Sequence, residues 1–395
     1  MKKLVSDDVL KEFTERGIAN IFPSREEFLN RLKTRKPLAI FLGIDPTGDT
    51  LHLGHGAILL RLKTLQDWGH KITILIGDFT AQIGDPDGKL ETRTILSEAT
   101  VTANYQAYRE QIGKILNLKK TKFVFNKRWL AKLNFSEIIK LASGFTVGQM
   151  IERDMFQERL KKNSPIYLHE FLYPLMQGYD SVKLGVDVEI GGNDQTFNML
   201  MGRTMQKRLG QEKFVIAVKL LTDPTGKKMG KTEGNMVTLA DSPNNMYGKV
   251  MSWPDEIIWP GFEICTNVSL VDLEKYRKQN PRDAKMALAK ELVKIYYGSE
   301  LAELAETYFI EAFQQKNIPE KVLTVSAKAG DLLADILVSA KLIESKSEFK
   351  RLVLGRGICL ESGEPVLDLF HKVSHTAVIK IGKKRFIKIE VKQFN

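Results

Sequence analysis

An open, doubly wound parallel α/β sheet is the fold this sequence predicts, and three observations predict it. Residues 38–60, LAIFLGIDPTGDTLHLGHGAILL, run from an apolar segment through a Gly/Asp/Pro/Thr turn into a fresh apolar-periodic helix. That helix ends near Gly69, and a second apolar segment, KITILIGD, follows at 71–78. Shorter apolar segments at 121–125, 186–192 and 214–221 supply further strands. Strand, helix, strand with a right-handed crossover is the doubly wound unit, whose ligands sit at the carboxyl ends of the strands.

The first strand end carries His52 and His55, with Gly54 between them, where the helix begins. A helix start has unpaired N–H groups and a positive dipole end, so it suits an anion. Two imidazoles and close-approach glycines add donors for charge that builds up on a phosphate. Taken alone, the pair reads equally as ordinary polar residues at a helix cap, so a second phosphate element is needed. After the next strand comes FTAQIGDPDGKLETR, 79–93, where Asp85 suits an ammonium group and Lys89 and Arg93 suit a leaving polyphosphate. Without its position at a strand end, this loop would read as a solvated turn before a helix at 91–117.

Tyr173, Gln177 and Asp180 stand at i, i+4 and i+7 of a helix over 168–184, so they share one face. Buried polar groups need partners; a polar ligand or the core itself would serve. The strand at 186–192 runs into Asn193, Asp194 and Gln195, and a carboxylate at a strand end after two glycines is the usual device for ribose hydroxyls. PTGKKMGKTEGNM then brings Lys228, Lys231 and Thr232 into a glycine-rich loop able to close over a triphosphate. It is the second independent phosphate element.

Composition sets limits on the class. At 395 residues with 43% hydrophobic and 27% charged content, the chain has room for two or three globular domains. No apolar run reaches membrane-spanning length, and the N-terminus does not read as a signal peptide, so a cytoplasmic setting is expected. Cys265 and Cys359 match no metal or redox spacing; reduced thiols and no protein-bound metal are expected. The net charge of +11 favours polyanionic partners, and residues 328–395 contribute +5 of it from 13 Lys+Arg against 8 Asp+Glu. Residues 7–35 read as helical packing. The helical stretch 129–165 reads as a subunit interface or as single-chain packing.

HLGH at 52–55 and KMGKT at 228–232, each after a strand and in this order, resemble the two signature loops of class I aminoacyl-tRNA synthetases. GIDPTGDTLHLGH, GDPDGK, Tyr173-x-x-x-Gln177-x-x-Asp180 and GGNDQ narrow the resemblance to the bacterial-type tyrosyl-tRNA synthetases, over essentially the whole chain. The resemblance implies a Rossmann-like catalytic domain over 1–235, with a dimer-interface insertion at about 129–165. It further implies a helical anticodon-side domain over 236–318, a linker over 319–328 and a small α+β RNA-binding domain of the αL type over 329–395. Residue by residue, Asp180 resembles the acceptor of the phenol hydroxyl, and Tyr173, Gln177 and Asp85 the holders of the α-ammonium. Asp45 and Thr47 look like residues that orient amino acid and ATP, with Gln195 near the reacting carboxylate. His52, His55 and Gly54 fall on the ATP side, and Gly192 and Asp194 at the ribose. Lys89, Arg93, Lys228, Lys231 and Thr232 resemble the pyrophosphate clamp, and Lys350, Arg351 and Arg356 an RNA-backbone surface.

What is implied is a homodimer that joins L-tyrosine to its tRNA using ATP with Mg²⁺ on the phosphates. Phe41, Leu42, Thr196 and Gly230 depart from the family pattern, at positions that bear on substrate affinity. A tryptophanyl-type synthetase, a smaller nucleotidyltransferase and a catalytically silent RNA-binding relative are the rival readings. Asp180 argues against the first, the basic C-terminal segment against the second, and the intact histidines and lysines against the third.

Overall fold

The computed structural model describes residues 5–84, 96–222, 236–313, 322–360, 364–382 and 385–392. The chain divides into two compact units, one of residues up to 242 with 249–297, the other of 243–248 with residues from 298 onward.

The first unit is built on a six-stranded sheet in the order β1-β6-β5-β2-β3-β4. Its strands are β1 (Ile18–Phe22), β2 (Ala39–Ile44), β3 (Lys71–Ile76), β4 (Thr121–Phe125), β5 (Val188–Gly192) and β6 (Phe214–Val218). All neighbours pair in parallel except β1, which lies antiparallel on β6. The central strands are apolar on both faces because crossover helices cover both: Ile40, Ile74, Val188 and Ile216 are all buried. Chain order runs outward in both directions from the β2/β5 pair, which makes that pair the switch point of the sheet.

The helical reading of 7–35 requires a correction. A helix at Asp7–Glu15 ends before Gly17, which adopts φ +64°, and another begins at Arg25 with Ser24 as its cap. Between them Ile18–Phe22 extends and pairs with β6, burying Ile18 and Ile21. The strand at 38–44 is therefore the second in the chain. The strands expected over 186–192 and 214–221 are shorter, Val188–Gly192 and Phe214–Val218. Among the described residues, the helix expected from 91 runs Glu98–Gly113, capped by Ser97.

The second unit contains a four-stranded sheet, β7 (Leu323–Lys328), β10 (Arg385–Lys392), β9 (Ala377–Ile381) and β8 (Ile358–Leu360), in that spatial order. Helices Leu333–Ser339 and Lys346–Leu354 close its core through Leu333, Leu337, Phe349 and Val353. The helix Ser299–Phe313 joins this unit, and its Tyr308 hydroxyl accepts the Phe386 N–H at 3.0 Å. No helix among the described residues is long and apolar enough to cross a membrane.

Candidate active site

A cavity of about 330 Å³ opens at the carboxyl ends of β2, β3 and β5, at the switch point. Asp45 leaves β2 on one wall; its Oδ2 accepts the Tyr173 hydroxyl at 2.8 Å and its Oδ1 the Thr80 hydroxyl at 2.7 Å. Only a glycine at 77 allows this approach, since a Cβ there would lie 1.8 Å from Asp45 Oδ1. Thr47 follows on the exposed rim, and Tyr108 hydrogen-bonds to it, the phenol's pKa pushed up to about 12 by burial.

His52 caps the helix Leu53–Asp67: its Nδ1 accepts the Gly54 N–H at 3.1 Å. His55 Nδ1 in turn accepts the His52 backbone N–H at 3.3 Å, and the rings lie 4.0 Å apart. With Nδ1 used as an acceptor in both, the neutral rings carry their proton on Nε2 and offer it as a donor. Residues 237–239 return alongside this loop, with Leu53 N–H donating to Val237 O at 3.1 Å and Leu239 N–H to Leu51 O at 2.8 Å. The segment that follows the second glycine-lysine motif is thus paired with the first histidine loop.

The helix Leu172–Leu184 presents Tyr173, Gln177 and Asp180 to the cavity, as their spacing predicts. Asp180 is 2% exposed; Trp129 Nε1 donates to its Oδ1 at 2.7 Å and Asn126 Nδ2 to its Oδ2 at 3.1 Å. Burial pushes this carboxyl well above the usual carboxylate range, against the pull of those two hydrogen bonds. Gln177 Nε2 donates to Glu189 Oε1 at 3.1 Å. Glu189 Oε2 accepts the Ser181 hydroxyl at 2.9 Å and is in contact with Lys213 Nζ. Lys213 is fully buried, which lowers its pKa, while the Glu189 charge opposes that shift.

On the third wall, Gly192 ends β5 and Asn193–Gln195 form a short 3-10 turn. A Cβ at 192 would lie 2.5 Å from Asp194 Oδ1, so glycine lets that carboxylate fold over the strand end. Gln195 Oε1 accepts from Asn198 Nδ2 at 2.9 Å. Phe41 and Leu42 are buried cavity residues, while the Thr196 hydroxyl donates to Asn193 O at 2.7 Å.

The structure therefore gathers Asp45, Thr47, His52, Gly54, His55, Tyr173, Gln177, Asp180, Gly192, Asp194 and Gln195 around one cavity. Asp85, Lys89, Arg93, Lys228, Lys231 and Thr232 lie outside the described residues. Lys350, Arg351 and Arg356 are exposed in the other unit, on the helix Lys346–Leu354 and the turn after it. Sequence reasoning missed Trp129, Asn126, Thr80, Glu189 and Lys213. One signal was available: a glutamate inside the otherwise apolar, doubly covered strand VEIGG.

The family described as class I tRNA synthetases (W and Y) matches residues 33–314. The tyrosine–tRNA ligase of Carboxydothermus hydrogenoformans is 45% identical over 96% of this chain and 97% of its own length. That of Thermotoga maritima is 42% identical over 93% of this chain and 94% of its own. A C-terminally truncated mitochondrial tyrosyl-tRNA synthetase from Aspergillus nidulans superposes with a TM-score of 0.63 at 25% identity, covering 77% of this chain and 94% of that one. The chain belongs to the class I tRNA synthetases of the W and Y group and, within it, to the tyrosine–tRNA ligases.

Proposed function

We propose that the cavity at the β2/β5 switch point is where this ligase activates L-tyrosine with ATP, before tyrosine passes to its tRNA. One observation carries the amino-acid assignment: Asp180, buried at the cavity wall and held by Trp129 and Asn126, has no cation among its hydrogen-bond donors in the described residues. A phenol hydroxyl supplies the donor such a carboxylate lacks. A substrate without that hydroxyl would leave Asp180 desolvated and unsatisfied, an effect for which this enzyme family is the standard example. Tyr173, Gln177 and Asp85 would receive the α-ammonium, Asp45 would orient the amino acid and ATP, and Gln195 would lie near the reacting carboxylate.

The tyrosine carboxylate is ionised at neutral pH and attacks the α-phosphorus without a general base. Its new P–O bond forms as the bond to pyrophosphate breaks. What the protein supplies is alignment and stabilisation of the charge that moves onto pyrophosphate. The Nε2–H groups of His52 and His55, with Thr47, are the donors proposed on that side, supported by the Nδ1 contacts that fix both rings. Lys89, Arg93, Lys228, Lys231 and Thr232 are proposed to neutralise the leaving group. Gly54, Gly192 and Asp194 are assigned to the nucleotide, which enters as its Mg²⁺ complex, the ion belonging to that substrate.

A homodimer is part of this reading. The helix Phe135–Ala142 fully buries none of its side chains in its own chain, and Phe135 and Leu168 are 77% and 81% exposed. Apolar groups left uncovered in this way suit a second copy. The division by role follows the family pattern: catalysis up to 235, a helical domain over 236–318, a linker, and an RNA-binding domain over 329–395 that meets tRNA through Lys350, Arg351 and Arg356. A cytoplasmic place of work completes the proposal.

The test is ATP–pyrophosphate exchange with tyrosine, tryptophan and phenylalanine supplied separately. Exchange with tyrosine alone is expected; exchange with tryptophan would overturn the Asp180 assignment. Sedimentation as a monomer would remove the dimer, and unchanged tRNA affinity in a Lys350→Ala, Arg351→Ala, Arg356→Ala variant would remove the RNA surface.

A further inference from the structure

We propose that Glu189 and Lys213 are positioning residues for the amino-acid substrate: with Ser181, they hold the Gln177 amide so that its oxygen faces an incoming α-ammonium. The inference rests on the assignment of Gln177 to that ammonium. Glu189 Oε2 is occupied by two donors, the Ser181 hydroxyl at 2.9 Å and Lys213 Nζ. Lys213 Nζ also donates to Ser181 Oγ at 2.6 Å. What Glu189 turns toward the cavity is therefore Oε1, which offers lone pairs only. A primary amide meeting an acceptor must present its NH₂ end, and Gln177 does so at 3.1 Å. Its carbonyl oxygen is left as the group for a cation.

Stability alone does not account for this pair. A buried Glu–Lys pair is costly to desolvate, and apolar residues of similar volume would often be as stable or more so. The chain nonetheless makes space for it: at Gly202 a Cβ would lie 2.5 Å from Ser181 Oγ and 2.6 Å from Lys213 Nζ. Neither Lys213 nor Ser181 lines the cavity, whereas Glu189 and Gln177 do. Lys213 and Ser181 therefore act on substrate only through Glu189 and the amide in front of it.

Glu189→Gln provides the test because of what Lys213 then does. Lys213 takes the oxygen of the new amide, whose NH₂ turns to Gln177, and Gln177 must reverse and offer its own NH₂ to the cavity. Two probes separate this from a general defect: tyrosinol, which has the ammonium and no carboxylate, and 3-(4-hydroxyphenyl)propionate, which has no ammonium. In the full-length protein, calorimetry should show tyrosinol weakened about tenfold by Glu189→Gln, with the propionate changed less than about twofold. A ratio of two affinities from one sample does not depend on how much of it is folded. Glu189→Gln with Lys213→Met, which leaves no unpaired lysine, should lose the tyrosinol preference by about threefold or more. Gln177→Ala is the reference. If it loses the preference while both Glu189 variants keep it, the proposal is overturned and the Gln177 assignment stands. If Gln177→Ala keeps the preference as well, the ammonium assignment fails and takes the proposal with it.

Discussion

Of the carboxylates that line the cavity, Asp180 and Glu189 are each 2% exposed, and they are held in opposite ways. Glu189 has a buried lysine on one oxygen and an amide on the other. Among the described residues Asp180 has only the neutral donors of Trp129 and Asn126, and burial drives its pKa far up. A carboxylate satisfied by a fixed cation has nothing to gain from a ligand and serves as a reference point. One left with neutral donors still has unused acceptor capacity, and a ligand bearing a hydroxyl completes it. The difference in partners, rather than in burial, separates a group that reads the substrate from one that aims another group.

The strongest way to break this contrast is Asp180→Ala. It removes the phenol's acceptor and leaves the Trp129 and Asn126 donors unpaired, so kcat/KM for tyrosine in pyrophosphate exchange should fall by about a thousandfold or more. The KM for ATP should change little; equal damage to both substrates would show that Asp180 supports the fold instead. Trp129→Phe is subtler, since it keeps an aromatic ring, smaller than the indole, and deletes one donor to Asp180. The KM for tyrosine should rise about tenfold with kcat nearly preserved, and an unchanged KM would remove Trp129 from the reading site.

The smallest effect concerns stability without substrate. Native Asp180 binds its proton more tightly than the unfolded chain does. Its contribution is therefore complete below the ordinary value of 3.8 and is lost as pH rises through the raised native value. Asp180→Asn has no such loss. Its melting temperature relative to the unmodified chain should improve by about 2 °C or more between pH 5 and pH 8. A difference independent of pH would place the Asp180 carboxyl back in its ordinary range.

The sequence made the reading half of the site legible and hid the supporting half. Asp180, Gln177 and Tyr173 stand out because a helix puts i, i+4 and i+7 on one face, and the histidines because they interrupt a strand-to-helix turn. Asn126 and Trp129 come from one segment and Thr80 from another, and nothing local in the sequence says that the fold brings them against Asp180 and Asp45. Lys213 looks like a surface lysine before a strand; only the packed neighbours, with Gly202 opening space, show it buried. The sheet was legible through its apolar runs, all but β1, whose five residues lie between two helices with similar apolar content.

That overlooked strand has a consequence for the solubility of the chain. A parallel sheet with a bare flank presents a row of unpaired N–H and C=O groups on which another chain can build. β1 lies along β6 on that flank, and its register slips between Ile18 and Asn20, a break that discourages further pairing. At the opposite edge β4 turns an exposed Lys122 to solvent. A shortened chain starting after residue 24 would keep every proposed catalytic group and uncover the length of β6. The segment without chemistry is the one that covers the β6 flank, where a bare strand would invite edge-to-edge pairing.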